Sequence, residues 1–367
     1  MLSDDVLTKT QSETIRRIPA ATLRAFLTDA LRACGLPEAD AAIAAGAMLE
    51  ADLTGSDAHG VFRLAGYVRQ LKRGAFNPRA NITVLERGPA TALIDGDRGM
   101  GHVVMTYAAN LAVELARQSG IGWVGARRSN HAGAGAIYAA IPLAHGMVGI
   151  YGAASSVNHM APWGGTEALL GTNPIAVAIP AGNEAPVVLD IATSVASNGA
   201  IRSYAAEGRP LPEGWVISRE DGKPITDGRR LAEGMFVPIG TYKGSGLAIV
   251  LGLLGGPLNR AAFGRDVKDV NAEQVRETNT GHFVIALDVA RFVAPDVFAA
   301  EVNRHVRDLA SSKKLPGVDD IRIPGQGRLE RRTDRQKNGV PLAPSLLKQL
   351  DEVARSLKIK PLTARAT

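Results

Sequence analysis

From Thr91 onward the chain returns repeatedly to one pattern: a short apolar run bounded by a glycine-rich turn or an alanine-rich helical stretch. ATALIDG, IGWVGA, MVGIYGA, IAVAIP, VVLDIA and HFVIALDVA are each the length of one strand, whereas VVMTYAANLAVELARQSG repeats apolar residues at helical period. GAIYAAIPLAHG is a further alanine-rich stretch, and GLAIVLGLLGG, apolar throughout, reads as a buried helix. Strands separated by helices that cover them predict an α/β core. The 40 glycines fit many tight turns and close helix packing.

The segment before this core is helical in pattern. Thr22 to Cys34 places apolar residues at helical spacing and stops at Gly35, and Pro37 opens a second, alanine-rich helix that ends near Gly55. Near the other end, PLAPSLLKQLDEVARSLKI is amphipathic and returns as a packed helix. The predicted organisation is a helical N-terminal part over 20–90, joined by the C-terminal helix at 340–360. An α/β region covers 91–330, with a Pro-, Gly- and charge-rich excursion near 203–240.

Composition narrows the function classes. No segment of the 367 residues approaches the roughly 18 unbroken apolar residues of a membrane span, and the start MLSDDVLTKTQSETIRR lacks a secretory pattern, so the expectation is a soluble, cytoplasmic protein. One cysteine, Cys34, excludes an internal disulfide and a cysteine-based zinc site, and no metal is expected. The net charge of +6 is spread out and only 5% of residues are aromatic, unlike a basic stripe with stacking aromatics for nucleic acid. A small anionic substrate with a pyrophosphate-bearing cofactor, or simply a solvated surface excess, accounts for the charge.

The glycines do not spell a standard nucleotide fold. Neither DGDRGMGH nor HAGAGA gives GxGxxG after a strand with an acid about 20 positions later, and TYKGSGLA lacks the spacing of a phosphate loop. Two histidine segments carry chemistry instead. In SDAHG, Ser56 and His59 are followed by Arg63 and Tyr67, which puts a hydroxyl, a proton carrier and a carboxylate-binding cation at a helix edge. In the second, Arg127, Arg128, Ser129, Asn130 and His131 leave the strand IGWVGA before a helix starting near Gly133, where α/β proteins handle ligands. Helix capping and core packing are the competing readings for both. In VLDIATS, Asp190, Thr193 and Ser194 suit orienting an imidazole or bonding ribose and nicotinamide groups, and equally suit turn and cap roles.

Taken in order, SDAHG, SNHAG, GTNP, DIATS, PEGW and YKGSGLA resemble the malate/L-lactate dehydrogenase family of the second type, unrelated to the Rossmann lactate dehydrogenases. The resemblance runs from about Thr22 to beyond Ile359. It implies an α/β, non-Rossmann nicotinamide-binding fold with a helical N-terminal part, an NAD or NADP cofactor, and a homodimer. The implied reaction is hydride transfer between the nicotinamide and C2 of a small 2-hydroxy or 2-oxo acid. Reduction of a cyclic 2-imino acid, such as piperideine- or pyrroline-2-carboxylate, and nucleotide or metabolite binding without turnover are the alternatives. Members use the histidine matching His59 as proton donor in some cases and that matching His131 in others, and Ser56, Arg63 and Asp190 match further site positions. Implied cofactor contacts fall on Ser129, Ser155, Ser156, Asn158, Thr172, Asn173, Ala192, Thr193, Ser194, Lys243, Gly244 and, with Pro324, Gly325. The chain departs from the family pattern at KGSG, where Ser245 replaces a tyrosine; at Gly199 and Ala200 after DIATS; at GQG in place of PGE; and in the small residues of HAGAGAIY.

Overall fold

The computed structural model describes residues 15–270 and 272–365. The N-terminal segment on which the absence of a secretory pattern was read lies almost wholly outside them. The chain forms two compact units, one of residues 1–69, 181–187 and 294–367, the other of 70–180 and 188–293. The division falls at 69/70 and 293/294, whereas the hydropathy pattern suggested 90/91 and 330–340. Residues 294–340 fall in the helical unit, where Arg332 and Arg335 attach through ion pairs that apolar periodicity does not register.

In the helical unit, β1 (Arg16–Ile18) pairs antiparallel with β11 (Val340–Leu342), tying the two ends of the chain together. Helix α1 (Ala20–Ala33) buries Leu23, Phe26, Leu27, Ala30 and Leu31 along one stripe. Helix α2 (Glu38–Leu53) buries Met48 together with Ala41, Ala44 and Ala45, whose small side chains suit the close packing of α2 on α1. Helix α3 (Leu64–Lys72) runs across the division at 69/70. Two late helices follow, α8 (Pro295–Ala310) and α9 (Gln326–Asn338), neither with a buried residue. The last helix, α10 (Pro344–Leu357), packs on α1 and buries Leu347, Leu350 and Ala354. Helix α9 is held on α2 by polar groups: Arg332 pairs with Glu50 at 2.9 Å, and Arg335 pairs with Asp57.

The second unit is built on a seven-stranded sheet in the order β2-β3-β4-β10-β5-β6-β7. Its strands are β2 (Thr83–Arg87), β3 (Thr91–Asp95), β4 (Ile121–Ser129), β5 (Met147–Ala153), β6 (Ile175–Ile179), β7 (Val187–Ile191) and β10 (Thr280–Asp288). Strands β3 and β4 are parallel, joined by α4 (Gly101–Ser119); β10 runs antiparallel to both β4 and β5. β2 with β3 and β5 with β6 are antiparallel too. The sheet is therefore mixed and unlike the parallel, doubly wound sheet of a Rossmann domain. Val104, Met105, Leu115, Val124, Tyr138, Tyr151 and Val284 form its core. No helix among the described residues is long and apolar enough to cross a membrane.

Short helix α5 (Ala136–Ala140) follows the loop after β4. The excursion is ordered: α6 (Asn198–Ala206) and the hairpin of β8 (Val216–Ser218) with β9 (Gly234–Phe236) share a second core of Ile201, Leu211, Val216, Ile225 and Phe236 with Met160 and Leu170. Helix α7 (Tyr242–Gly255), expected as a buried helix, packs one face through Gly244, Ala248, Leu251 and Gly255, while Val250 and Leu253 remain 53% and 45% exposed.

One glycine shows how closely the layers meet. A Cβ on Gly122 of β4 would lie 2.0 Å from the Ala112 carbonyl of α4, so helix and strand backbones touch there. Gly122→Ala is expected to destabilise the protein by about 1–3 kcal/mol through overpacking. Gly66→Ala, in α3 with nothing within 4 Å of the added carbon, should instead stabilise by about 0.5–1 kcal/mol. Urea unfolding of both variants checks the contrast.

Candidate functional site

Chemistry-bearing residues gather in two groups, one in each unit. In the helical unit, α2 ends at Leu53 and a tight 3-10 turn over Asp57–His59 follows. The turn is pinned from both sides. The carboxylate of Asp52, 2% exposed, accepts the Val61 N–H at 2.8 Å. Arg335 donates to the Asp52 carbonyl and the Asp57 carboxylate. Burial raises the Asp52 carboxyl to about 8, against the opposing pull of the Val61 hydrogen bond.

Three predicted residues meet at this turn. Arg63 donates through Nε to the Ala58 carbonyl at 2.8 Å, which folds its guanidinium back over the turn. Arg328, near the start of α9, reaches Ser56 Oγ at 3.0 Å and Thr54 Oγ1 at 3.1 Å. Removal from water, then the positive charges of Arg63 and Arg328, lower the His59 imidazole to about 4. Its imidazolium form is thus disfavoured. Tyr67, buried nearby, has its phenol pushed up by burial.

In the sheet unit, β4 extends through Ser129, so Arg127 and Arg128 are strand residues and the loop begins at Asn130. Both arginines pair with Asp95 on β3, Arg128 at 3.1 Å, and serve the strand ends. Asn130, 2% exposed, is held by its side chain to the carbonyls of Arg98 and Gly99 at 2.8 and 2.9 Å and to the Thr278 hydroxyl at 3.1 Å. At Gly101, the first residue of α4, a Cβ would lie 2.2 Å from the Asn130 carbonyl and 2.7 Å from that of His131. His131 therefore stands on a backbone with little freedom. Helix α5 starts at Ala136, a few residues later than the Gly133 expected from the pattern, because the glycine-rich HAGAG segment forms the loop. Asp190, at the end of β7, accepts the Ala136 N–H at 3.0 Å and so secures the start of α5.

Several cofactor candidates of the sheet unit are tied to α7 and the segment before it. Asn173 accepts from Ser155 N at 3.0 Å and donates to the Ala248 carbonyl at 2.7 Å. Thr193 bonds the Thr172 carbonyl through both its N–H and hydroxyl at 2.9 Å, with Ala192 just before it, and Ser194 Oγ donates to the Ala196 carbonyl. Ile239 N donates to Thr193 O, and Gly244 N to Ile239 O, which brings Lys243 and Gly244 beside that segment. Lys243 is exposed in the first turn of α7. Asn158 donates to Gly264 O at 2.7 Å, and Ser156 is half-buried in the same loop as Ser155. Ser129 is buried, its Oγ donating to the Asn130 carbonyl at 3.4 Å. Gly325 belongs to the helical unit, where it caps α9 with φ of 99° three residues before Arg328. Ser245, in KGSG, is buried and accepts the Trp163 N–H at 2.9 Å, a structural use of the altered position.

Sequence reasoning did not find Arg328, Asp52, Tyr151 or His282. Arg328 lies directly beyond the GQG that was read only as a cofactor edge. His282 was hidden inside an apolar strand, where a lone histidine among HFVIALDV was itself the available signal.

The chain matches the malate/L-lactate dehydrogenase family model over residues 18–351. It is 35% identical over 353 residues to a malate dehydrogenase of Pyrococcus horikoshii, covering 94% of this chain and 97% of the relative. A solved malate dehydrogenase structure from that organism matches with a TM-score of 0.87 at 33% identity, covering 96% of this chain and 99% of that one. An L-sulfolactate dehydrogenase of Methanocaldococcus jannaschii is 36% identical over 332 residues, 90% of this chain and 94% of the relative. A ureidoglycolate dehydrogenase (NAD(+)) of Escherichia coli O157:H7 is 26% identical over 334 residues, 91% and 95% of the two chains. With its mixed sheet, its two histidine segments and this similarity along nearly its whole length, the chain belongs to the malate/L-lactate dehydrogenase family and is an oxidoreductase.

Proposed function

We propose that this oxidoreductase uses NAD or NADP to interconvert a small 2-hydroxy acid and its 2-oxo acid, and that the substrate carries a second acidic group. The observation that carries the reading is the pair of guanidiniums, Arg63 and Arg328, whose charges both act on the His59 imidazole. One cation suffices for one carboxylate; two beside a single proton carrier suit a dianion. Malate and sulfolactate, named for two of the similar proteins, are dianionic acids of this kind.

The donor set at the start of α7 suits a dinucleotide. A fourteen-residue helix directs the positive end of its dipole toward the exposed Lys243, and anions gather at such ends. Thr172, Ser155 and Ser156 add hydroxyls beside it for ribose or phosphate. A bound nicotinamide nucleotide supplies the hydride in reduction and takes it in oxidation. The protein's own part is to hold and move charge: Arg63 and Arg328 bind the acid groups, Ser56 and Asp190 orient their surroundings, and His59 or His131 gives the proton to the C2 oxygen and takes it back on oxidation.

Assays of NADH and NADPH oxidation on pyruvate, oxaloacetate, a 2-oxo sulfonate and a cyclic 2-imino acid test the substrate class. A dianionic 2-oxo acid is expected to give the highest kcat/KM; the imino acid giving it instead would replace the reading, and no turnover on any would refute it. Loss of the proton carrier should cut kcat by about 100- to 10,000-fold. If His59→Ala and His131→Ala both retain near-native kcat, the histidine assignment is wrong.

Arg328→Met separates the roles further. It should raise KM for the dianionic acid by about 10- to 100-fold, the worth of a charge-assisted hydrogen bond, while changing KM for pyruvate by less than about threefold. Removing a cation favours imidazolium, so the His59 pKa rises from about 4 toward its ordinary value. Oxidation needs the neutral base, so the acid limb of kcat/KM moves to higher pH if His59 is the carrier. An unmoved limb assigns the proton to His131.

A further inference from the structure

We propose that His282 and Tyr151 are positioning residues that fix the peptide joining Asn130 to His131. This rests on the functional reading above in one respect, that His131 is a proton carrier.

The polarity of the contact follows from the atoms. The Asn130 carbonyl only accepts, so His282 Nε2, 3.1 Å away, carries the proton and donates. Its Nδ1 is then an acceptor, and the Tyr151 hydroxyl at 2.9 Å donates to it. The result is a directed chain from Tyr151 to His282 to the carbonyl immediately before His131. All three residues are 2% exposed, so water does not substitute for a missing partner. The two donors stand on neighbouring strands: β10 carries His282 and β5 carries Tyr151, and the strand that leads into Asn130 is β4, on the other side of β10.

The same peptide is gripped from α4, where Gly101 leaves room for no side chain against the Asn130 and His131 carbonyls. Asn130's side chain, bonded to Arg98 O, Gly99 O and Thr278, stops the residue from rotating to find another partner for its carbonyl. Together these contacts determine the direction in which the backbone delivers the His131 side chain. An apolar side chain of similar size would fill the space of His282 but orient nothing. A fully satisfied buried polar chain at this place selects one geometry of the loop.

The test is a set of double-mutant cycles on the enzyme with saturating nucleotide and its best 2-oxo acid. His282→Phe is expected to lower kcat by about 10- to 100-fold, the scale of a misplacement near 1 Å, with KM changed by less than about threefold. Tyr151→Phe, which loosens the imidazole without removing it, should cost about 3- to 10-fold in kcat by the same effect. His282→Gln, whose side-chain N–H reaches the same carbonyl, should recover most of the His282→Phe loss. In a His131→Ala background the penalties of His282→Phe and Tyr151→Phe should shrink to within about twofold, since residues that act through one another are not additive. Equal penalties in both backgrounds would mean a merely structural role and overturn the proposal. Near-native kcat for His131→Ala would overturn it together with the His131 branch of the mechanism, whereas the substrate panel judges the oxidoreductase reading separately. If His282→Phe does not fold, Tyr151→Phe and His282→Gln carry the same comparison.

Discussion

The sheet unit depends on the insertion of β10 between β4 and β5. Strands β4 and β5 are near one another in sequence, yet they do not pair; each waits for residues 280–288, which arrive after the whole excursion and α7. The register with β5 is unbroken and that with β4 shifts once, between Thr280 and His282; Val284 lies opposite both Val124 and Tyr151. Contacts of such sequence separation are slow to form but add little to the loop-closure cost once made. A strand so placed is buried on both faces, and every polar side chain it carries must find a partner inside the protein. His282 does, with Tyr151 and the Asn130 carbonyl, so the strand that closes the sheet also sets the loop that follows β4.

Helix α9 obeys a different logic. None of its residues is buried, and its attachment to the residues around the end of α2 is by Arg328, Arg331, Arg332 and Arg335. Exposed ion pairs contribute roughly 0–1 kcal/mol each, so such a helix adds little to stability in comparison with α1 or α10. Arg335 is the exception, its side chain only 12% exposed while it bridges Asp57 and the Asp52 carbonyl. That bridge holds the 3-10 turn of His59 as well as the helix. What α9 contributes is placement: it brings Arg328 to Ser56 and Thr54 from 272 and 274 residues away.

The sequence was informative where one local rule decides the outcome. Apolar periodicity marked α1, α2, α4 and α10, and the strand runs IAVAIP, VVLDIA and HFVIALDVA became β6, β7 and β10. The family was legible from the order of six short motifs, none of them decisive alone. Lost to inspection were features that depend on which distant residues meet. Nothing in HFVIALDV says that it enters the middle of the sheet, and nothing in QGRLERRTDRQKN says which helix its arginines will face. α7 was misjudged for a related reason: an apolar helix reads as buried on all sides, and only the fold shows Val250 and Leu253 turned outward. Arg127 and Arg128 looked like loop residues beside a catalytic histidine, but Asp95 on the adjoining strand claims both.

Two histidines, His59 and His282, are lowered to about 4, for reasons that separate chemistry from architecture. His282 owes its shift to burial alone, and its bond to the Asn130 carbonyl pulls the other way. Burial thus favours the neutral ring, the form in which Nε2 donates to the Asn130 carbonyl while Nδ1 accepts from Tyr151. His59 owes its shift first to burial and then to the positive charges of Arg63 and Arg328. The second of those charges reaches the turn because α9 carries Arg328 to Ser56 and Thr54, so the electrostatics around His59 depend on a helix that buries none of its own residues.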